Sequence, residues 1–158
     1  MKLIAVLFSV LFCINTYSQD TLSRRHSDTT TTQKIIGLVA GLHFGKYIYG
    51  EVGIGRAFAQ INPRHGIFCS IIGVSSEIQI GEDIMIAPKI SLVAGSMGMM
   101  EGLNFLYYTD FSGRRGTFVF RPEAGFGVSV ARLVYGYNIR FGDKRMAGIP
   151  SHMVSLMA

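Results

Sequence analysis

The residues of this chain that could do chemistry are acids, bases and amides that recur at alternate positions of apolar segments. Three acids and four bases nearly balance, with two asparagines and a tyrosine as neutral partners. The set is Glu51, Glu77, Lys89, Asn104, Tyr108, Arg121, Glu123, Arg132, Asn138 and Arg140. If these side chains face one another in a confined interior of low dielectric constant, an unpaired charge there costs free energy, whereas paired charges stabilise one another. Arginine can form such a pair through two parallel hydrogen bonds. The set therefore predicts an ion-pair network.

Catalytic and metal-binding patterns are weak by comparison. His152 and Ser155 are three residues apart, so on a strand they point to opposite faces and do not form a dyad. The other histidines and Cys69 lack the spacing of metal ligands. The glycines at 53–55 and 125–127 lack the Lys-Ser/Thr pair that completes a phosphate-binding loop. We predict no catalytic residue, no metal and no cofactor.

Strands must position the charged residues, because the apolar residues follow a period of two. In the segment 117–141, Phe118 and Phe126 share one face, while Arg121 falls on the other. The second half of the segment repeats the pattern, and the glycines at 125–127 predict the turn between the two halves. Nineteen glycines, eleven Phe, seven Tyr and 16% charged residues also favour many strands over helices.

Eight strands of this kind are predicted after residue 33. Most have the roughly ten residues that a tilted strand needs to cross a bilayer, and glycine, proline and asparagine separate them. Their ranges are 34–44, 47–60, 66–80, 83–96, 99–110, 116–126, 128–141 and 150–158. The predicted fold class is all-β, an eight-stranded antiparallel up-and-down transmembrane β-barrel.

The alternation also predicts which wall of each strand faces the lipid. In the first four strands the even positions are mostly apolar and the odd positions are polar or very small. A membrane barrel turns its apolar wall outward and its charged wall inward. Arg56 and Glu101 fall on the outward wall near strand ends, where long side chains reach the interface. Pro88 and Pro122 cannot donate ladder hydrogen bonds and predict local bulges.

The first 33 residues differ in composition from the rest. Residues 1–18 predict a cleaved signal peptide, because Lys2 precedes an apolar run of twelve residues and a small polar exit. Residues 19–33 are polar and predict a flexible leader, and residues 34–158 form the barrel domain. The net charge of +5, or +4 without Lys2, is too mild to indicate a nucleic-acid partner.

Three segments carry a resemblance to a known class of proteins. They are GLNFLYYTD at 102–110, FRPEAGFG at 120–127 and YGYN at 135–138. With them, residues 34–158 resemble the small outer-membrane β-barrel proteins of Bacteroidota-type Gram-negative bacteria, which are OmpA/OmpX-like eight-stranded barrels. The resemblance implies contact with outer-membrane lipid and insertion by the barrel-assembly machinery, and it carries over no catalytic residue. Such barrels usually finish on an aromatic residue, whereas this sequence ends Met157-Ala158. The resemblance therefore does not decide whether the first and last strands pair with each other.

The sequence thus predicts a monomeric outer-membrane barrel that is not an enzyme, with a charged, side-chain-filled lumen and a structural or unassigned role in the envelope. A narrow pore is the first alternative, and it is less favoured because eight strands leave little free bore. An exported soluble barrel, with its apolar wall around a lipid ligand, is the second. An outer-membrane lipid-modifying enzyme is the third.

Overall fold

The computed structural model describes residues 31–62, 66–81, 84–96, 98–110, 116–128, 131–142 and 148–158. The predicted signal peptide and most of the leader lie outside the described residues. The strands are β1 Thr31–Phe44, β2 Ile48–Asn62, β3 Gly66–Ile80, β4 Met85–Ser96, β5 Met99–Asp110, β6 Gly116–Val128, β7 Ala131–Tyr137, β8 Ile139–Gly142 and β9 His152–Met157. In the described part of the chain, no helix has the length and apolar character needed to span a bilayer.

The strands close into an antiparallel barrel. β7 and β8 both pair with β6 and are separated only by Asn138, so together they form one wall strand and the barrel has eight. Each strand pairs with the next along the chain, and β9 pairs with β1 to complete the ring. The all-β, eight-stranded antiparallel barrel predicted from the sequence is therefore confirmed.

The register fixes the shape of the barrel. When the paired residues of neighbouring strands are followed once around the barrel, a path that starts at Lys34 of β1 returns to β1 at Phe44. The strands are therefore staggered by ten residues over one full turn of the wall. The path runs Lys34, Phe58, Ser70, Ala94, Glu101, Ala124, Tyr135, Val154 and Phe44. With a rise of about 3.3 Å per residue and strands about 4.8 Å apart, this stagger gives a tilt of about 40° and a backbone radius of about 8 Å. A lumen of that width holds side chains and little else.

The two walls divide as the alternation predicts. Large apolar side chains lie outside, including Phe118 at 63% exposure and Phe126 at 66%. Arg121 and Glu77 lie inside, both at 0%. Because the outer wall is predominantly apolar, a shift of one residue in any strand would exchange the two faces, so the pattern holds each strand in register.

Several details differ from the sequence-based expectations. β1 begins at Thr31 rather than at residue 34, and residues 125–127 lie within β6 rather than in a turn. Pro88 and Pro122 produce no bulge. The register between β4 and β5 is the same before and after Pro88. The register between β6 and the wall strand formed by β7 and β8 is also the same before and after Pro122. Each proline therefore removes a ladder position without inserting a residue.

Two glycines of the wall test this register. A Cβ on Gly125 would overlap the carbonyl oxygen of Leu133 and lie 2.6 Å from Val134 Cα, whereas a Cβ on Gly37 meets nothing within 4 Å. We expect Gly125→Ala to lower the free energy of unfolding by about 1–3 kcal/mol, because backbone must move. Gly37→Ala should leave it unchanged or raise it by up to about 1 kcal/mol. Urea unfolding in detergent micelles measures both, and equal losses would contradict the register.

Candidate functional site

The centre of the lumen is a bidentate ion pair between β3 and β6. Arg121 Nη1 donates to Glu77 Oε1 at 2.7 Å, and Arg121 Nη2 donates to Glu77 Oε2 at 3.0 Å. Both side chains are fully buried. Alternation turns each residue inward, and the stagger of the strands brings them to the same height across the lumen. A fork of two parallel hydrogen bonds is the strongest geometry available to an arginine and a carboxylate.

Lys89 of β4 connects this pair to a second carboxylate. Its Nζ donates to Glu51 Oε2 at 2.6 Å and to Glu77 Oε1 at 3.1 Å. Glu51 also accepts from the Ser75 hydroxyl at 2.5 Å. A buried ammonium is tolerated only when acceptors replace its water, and two carboxylates here supply that replacement.

His43 of β1 extends the network to the seam of the barrel. Its Nε2 lies 2.7 Å from Glu51 Oε2, and its Nδ1 lies 2.6 Å from Ser155 Oγ in β9. The tautomer with the proton on Nε2 satisfies both contacts, because the ring then donates to Glu51 and accepts from the Ser155 hydroxyl. The imidazole thus cross-links the first and last strands inside the wall.

Neutral side chains complete the partners of Arg121. Tyr108 OH donates to Glu77 Oε2 at 2.8 Å and accepts from Arg121 Nη2 at 2.7 Å. Arg121 Nε donates to Asn138 Oδ1 at 2.6 Å, and Asn104 Nδ2 donates to the carbonyl of Arg121 at 3.3 Å. Asn138 sits at the break between β7 and β8, so the interruption of the strand coincides with a side chain of the network.

The structure brings together eight of the ten residues that the sequence assigns to the lumen. They are Glu51, Glu77, Lys89, Asn104, Tyr108, Arg121, Glu123 and Asn138. Glu123 is the most loosely held of them, since its Oε1 lies 3.7 Å from Arg121 Nη1 and has no hydrogen-bond partner among the described residues.

Arg132 and Arg140 do not join the network, and their assignment to it is wrong. Both have the inward parity, but Arg132 is half-buried near the start of β7 and Arg140 is exposed within the short strand β8. The contact of Arg140 is with the Ser151 hydroxyl at 3.4 Å. At the ends of the barrel a guanidinium can stay in water, where it avoids the cost of desolvation.

Sequence reasoning missed the contributions of His43, Ser75 and Ser155. All three have the inward parity of their strands, so alternation was the available signal. What it could not show is that residues 112 positions apart, His43 and Ser155, meet at the seam.

The network contains residues of the types found in a metal centre and in a catalytic triad. The Lys89 ammonium occupies the first arrangement, and the second is buried. His43, Glu51 and Glu77 place ligand atoms within 4.8 Å of one another, as a metal centre would, but the Lys89 ammonium already bridges the two carboxylates. Ser155, His43 and Glu51 have the connectivity of a nucleophile, base and acid. Ser155 and His43 are both at 0% exposure, so an outside carbonyl has no route to the hydroxyl.

The apolar residues above the network close one end of the lumen. Tyr49, Met85, Ile149 and Met153 are buried together there, and Tyr49 OH donates to the carbonyl of Gly148 at 3.0 Å. Residues 148–150, which precede β9, therefore cover this end of the charged cluster. What the arrangement does chemically is neutralise and fill the lumen.

Comparison with known proteins adds no assignment: no family model matches the chain, and no curated protein or solved structure is significantly similar to it.

The ion pairs predict a specific pattern of destabilisation. We expect Glu77→Gln to lower the free energy of unfolding by about 3–5 kcal/mol, because it leaves Arg121 and Lys89 with excess positive charge in a buried site. Glu101→Gln is the matched control, since Glu101 is exposed on the outer wall, and it should change stability little. Urea unfolding followed by tyrosine fluorescence measures both, and a similar small effect of the two substitutions would contradict the network.

Proposed function

We propose that the protein is an outer-membrane β-barrel with a plugged, ionic lumen and a structural role in the envelope of a Gram-negative cell. The observation that carries the proposal is the distribution of side chains: the described exterior is mostly apolar, with Lys34, Arg56 and Glu101 as exposed exceptions, and the buried charges lie within. A barrel in water has the reverse requirement, because contiguous apolar surface of this extent is rare on soluble monomers.

The dimensions of the wall support a membrane location. β1 to β6 contain 12–15 residues each, and at a tilt of about 40° ten residues rise about 25 Å, the height of the apolar band in such barrels. Outward aromatic residues gather where β5 ends and β6 begins, with the Tyr107 and Phe118 rings 4.6 Å apart. Aromatic girdles of this kind lie at the membrane interface. The predicted signal peptide is consistent with export.

The filled lumen favours a plug over a narrow pore. Arg121, Lys89, Tyr108 and Glu77 are all among the fully buried side chains, and their mutual contacts span the bore. An ion would have to break these pairs to pass, and the pairs cost several kcal/mol to separate. The proposed partners are accordingly the surrounding lipid and, during insertion, the barrel-assembly machinery, with the mature barrel as a monomer.

The membrane location is tested by fractionation and by gel mobility. We expect the protein to leave the membrane fraction only with detergent, and the unboiled detergent sample to migrate differently from the boiled one, because a closed barrel resists unfolding by dodecyl sulfate. Gly125→Ala serves as a destabilised control that should lose the folded band at a lower temperature. Solubility in buffer without detergent would contradict the proposal.

The plug is tested by conductance in planar bilayers. The wild-type barrel should show no steady ion conductance, because side chains fill its bore. The double variant Glu77→Ala with Arg121→Ala removes a buried pair without changing the net charge, and we expect it to conduct. Arg140→Ala, at an exposed position, should remain closed. Steady openings of the wild-type protein would contradict the plug and favour the pore.

A further inference from the structure

The buried charges of the lumen do not cancel. Among the described residues, the buried charged groups are three carboxylates and two cations, namely Glu51, Glu77, Glu123, Lys89 and Arg121. Three negative charges against two positive charges leave one negative charge in excess while His43 is in its neutral tautomer. An uncompensated charge enclosed by protein is costly, so this part of the lumen calls for one further positive charge.

The excess lies at Glu123. Oε1 of Glu123 is buried and has no hydrogen-bond partner among the described residues. Nη1 of Arg121 lies 3.7 Å from this oxygen, but that nitrogen already donates to Glu77 at 2.7 Å. The side chain of Glu123 is only 3% exposed, so bulk water does not replace the missing partner. A buried carboxylate oxygen without a donor is the exception that needs an explanation.

The wall beside Glu123 is built from glycine. Glu123 of β6 pairs with Gly102 of β5 and with Gly136 of β7. A Cβ on Gly102 would lie 3.4 Å from Val93 Cγ2 and 3.6 Å from Glu123 Oε2, which are ordinary van der Waals contacts. Space for at least a methyl group therefore adjoins the carboxylate inside the lumen.

Two further oxygen-bearing side chains lie on the same inner face. Asn104 of β5 pairs with Arg121, and Ser91 of β4 pairs with Asn104. They therefore occupy the row next to that of Glu123 on adjoining strands, and both are buried. Asn104 uses its Nδ2 to bond the carbonyl of Arg121, so its Oδ1 points elsewhere and can act as a ligand.

We propose that Glu123 binds one monovalent alkali cation in the space beside Gly102, with the amide oxygen of Asn104 and the hydroxyl of Ser91 as neutral ligands. Hard cations prefer oxygen ligands of these kinds. The single charge of the ion follows from the excess of one carboxylate, because a divalent ion would leave the buried groups with a positive charge in excess.

Neither a proton nor a water molecule meets both requirements of the site. A proton on Oε1 of Glu123 would find no acceptor among the described residues. A second proton on His43 would lie beside Glu51 and would leave Oε1 of Glu123 without a partner. Water would supply a donor but no charge. The site is defined by the lumen alone, so it does not depend on the proposed membrane location.

Urea unfolding of the detergent-folded protein tests the proposal. Sodium chloride and, separately, potassium chloride replace tetramethylammonium chloride at constant total salt, so that general screening is unchanged. Because the ion binds only the folded chain, the folding equilibrium constant should rise about tenfold for each tenfold rise of the bound ion above its Kd. Equilibrium dialysis followed by atomic emission should count one ion per barrel. Equal folding constants in all three salts would overturn the proposal and assign the compensating charge to a proton.

Two substitutions separate the charge from the space. Glu123→Gln removes the excess charge, whereas Gly102→Ala keeps it and fills the space beside Oε2 with a methyl group at ordinary contact distance. Both variants should lose the bound ion and the dependence on the alkali salt. Gly102→Ala should keep the folded gel band, so the test stands even where Glu123→Gln fails to fold.

The matched control is Glu101→Gln on the outer wall, where the side chain is exposed. It removes the same charge from the chain and should keep both the bound ion and the salt dependence. An ion count of one that persists in Gly102→Ala, or a salt dependence that Glu101→Gln abolishes, would overturn the proposal and indicate an adventitious ion only.

Discussion

The width of the lumen is the constraint on which the rest of the structure depends. Eight strands with a stagger of ten residues enclose a bore of about 8 Å backbone radius, so inward side chains must fill it and must neutralise one another. Gly136 shows how closely this is met, because a Cβ there would lie 2.9 Å from Arg121 Cδ. The glycine on the β7 side leaves the space through which the arginine reaches Glu77.

Strand parity could be predicted from the sequence because it is a local property. Phe118 and Arg121 differ in parity, so they point to opposite faces of the strand. Because charged side chains must lie on one face and apolar side chains on the other, each strand has one register that satisfies both. The same parity assigns Glu51, Glu77 and Lys89 to the interior without any information about their partners. It also suggested an even number of antiparallel strands, since turn-forming residues separate segments of similar length.

Features that depend on relations between strands could not be predicted in this way. The partner of Glu77 is set by the stagger of the whole barrel, which no single strand encodes. Arg132 and Arg140 have the inward parity, yet their height near the barrel ends leaves them in contact with water. Pro88 and Pro122 break the ladder without a bulge because the flanking pairs already fix the register. The parity of a residue determines whether its side chain points inward or outward. Its position along the barrel axis and its neighbours across the lumen depend on how the strands are staggered when the barrel closes.

Closure itself relies on the lumen as well as on the backbone. In the part of the chain that the structure describes, the backbone ladder between the first and last strands runs from Ala40 to Phe44 on β1, and the contact of His43 with Ser155 adds a side-chain link across the same seam. Every wall strand contributes to the network: His43, Glu51, Glu77, Lys89, Tyr108, Arg121, Asn138 and Ser155. Because these contacts converge on two carboxylates, Glu51 and Glu77, separating any one strand exposes charges that belong to several others. The ionic lumen therefore couples the opening of the seam to the separation of ion pairs and hydrogen bonds that several strands share.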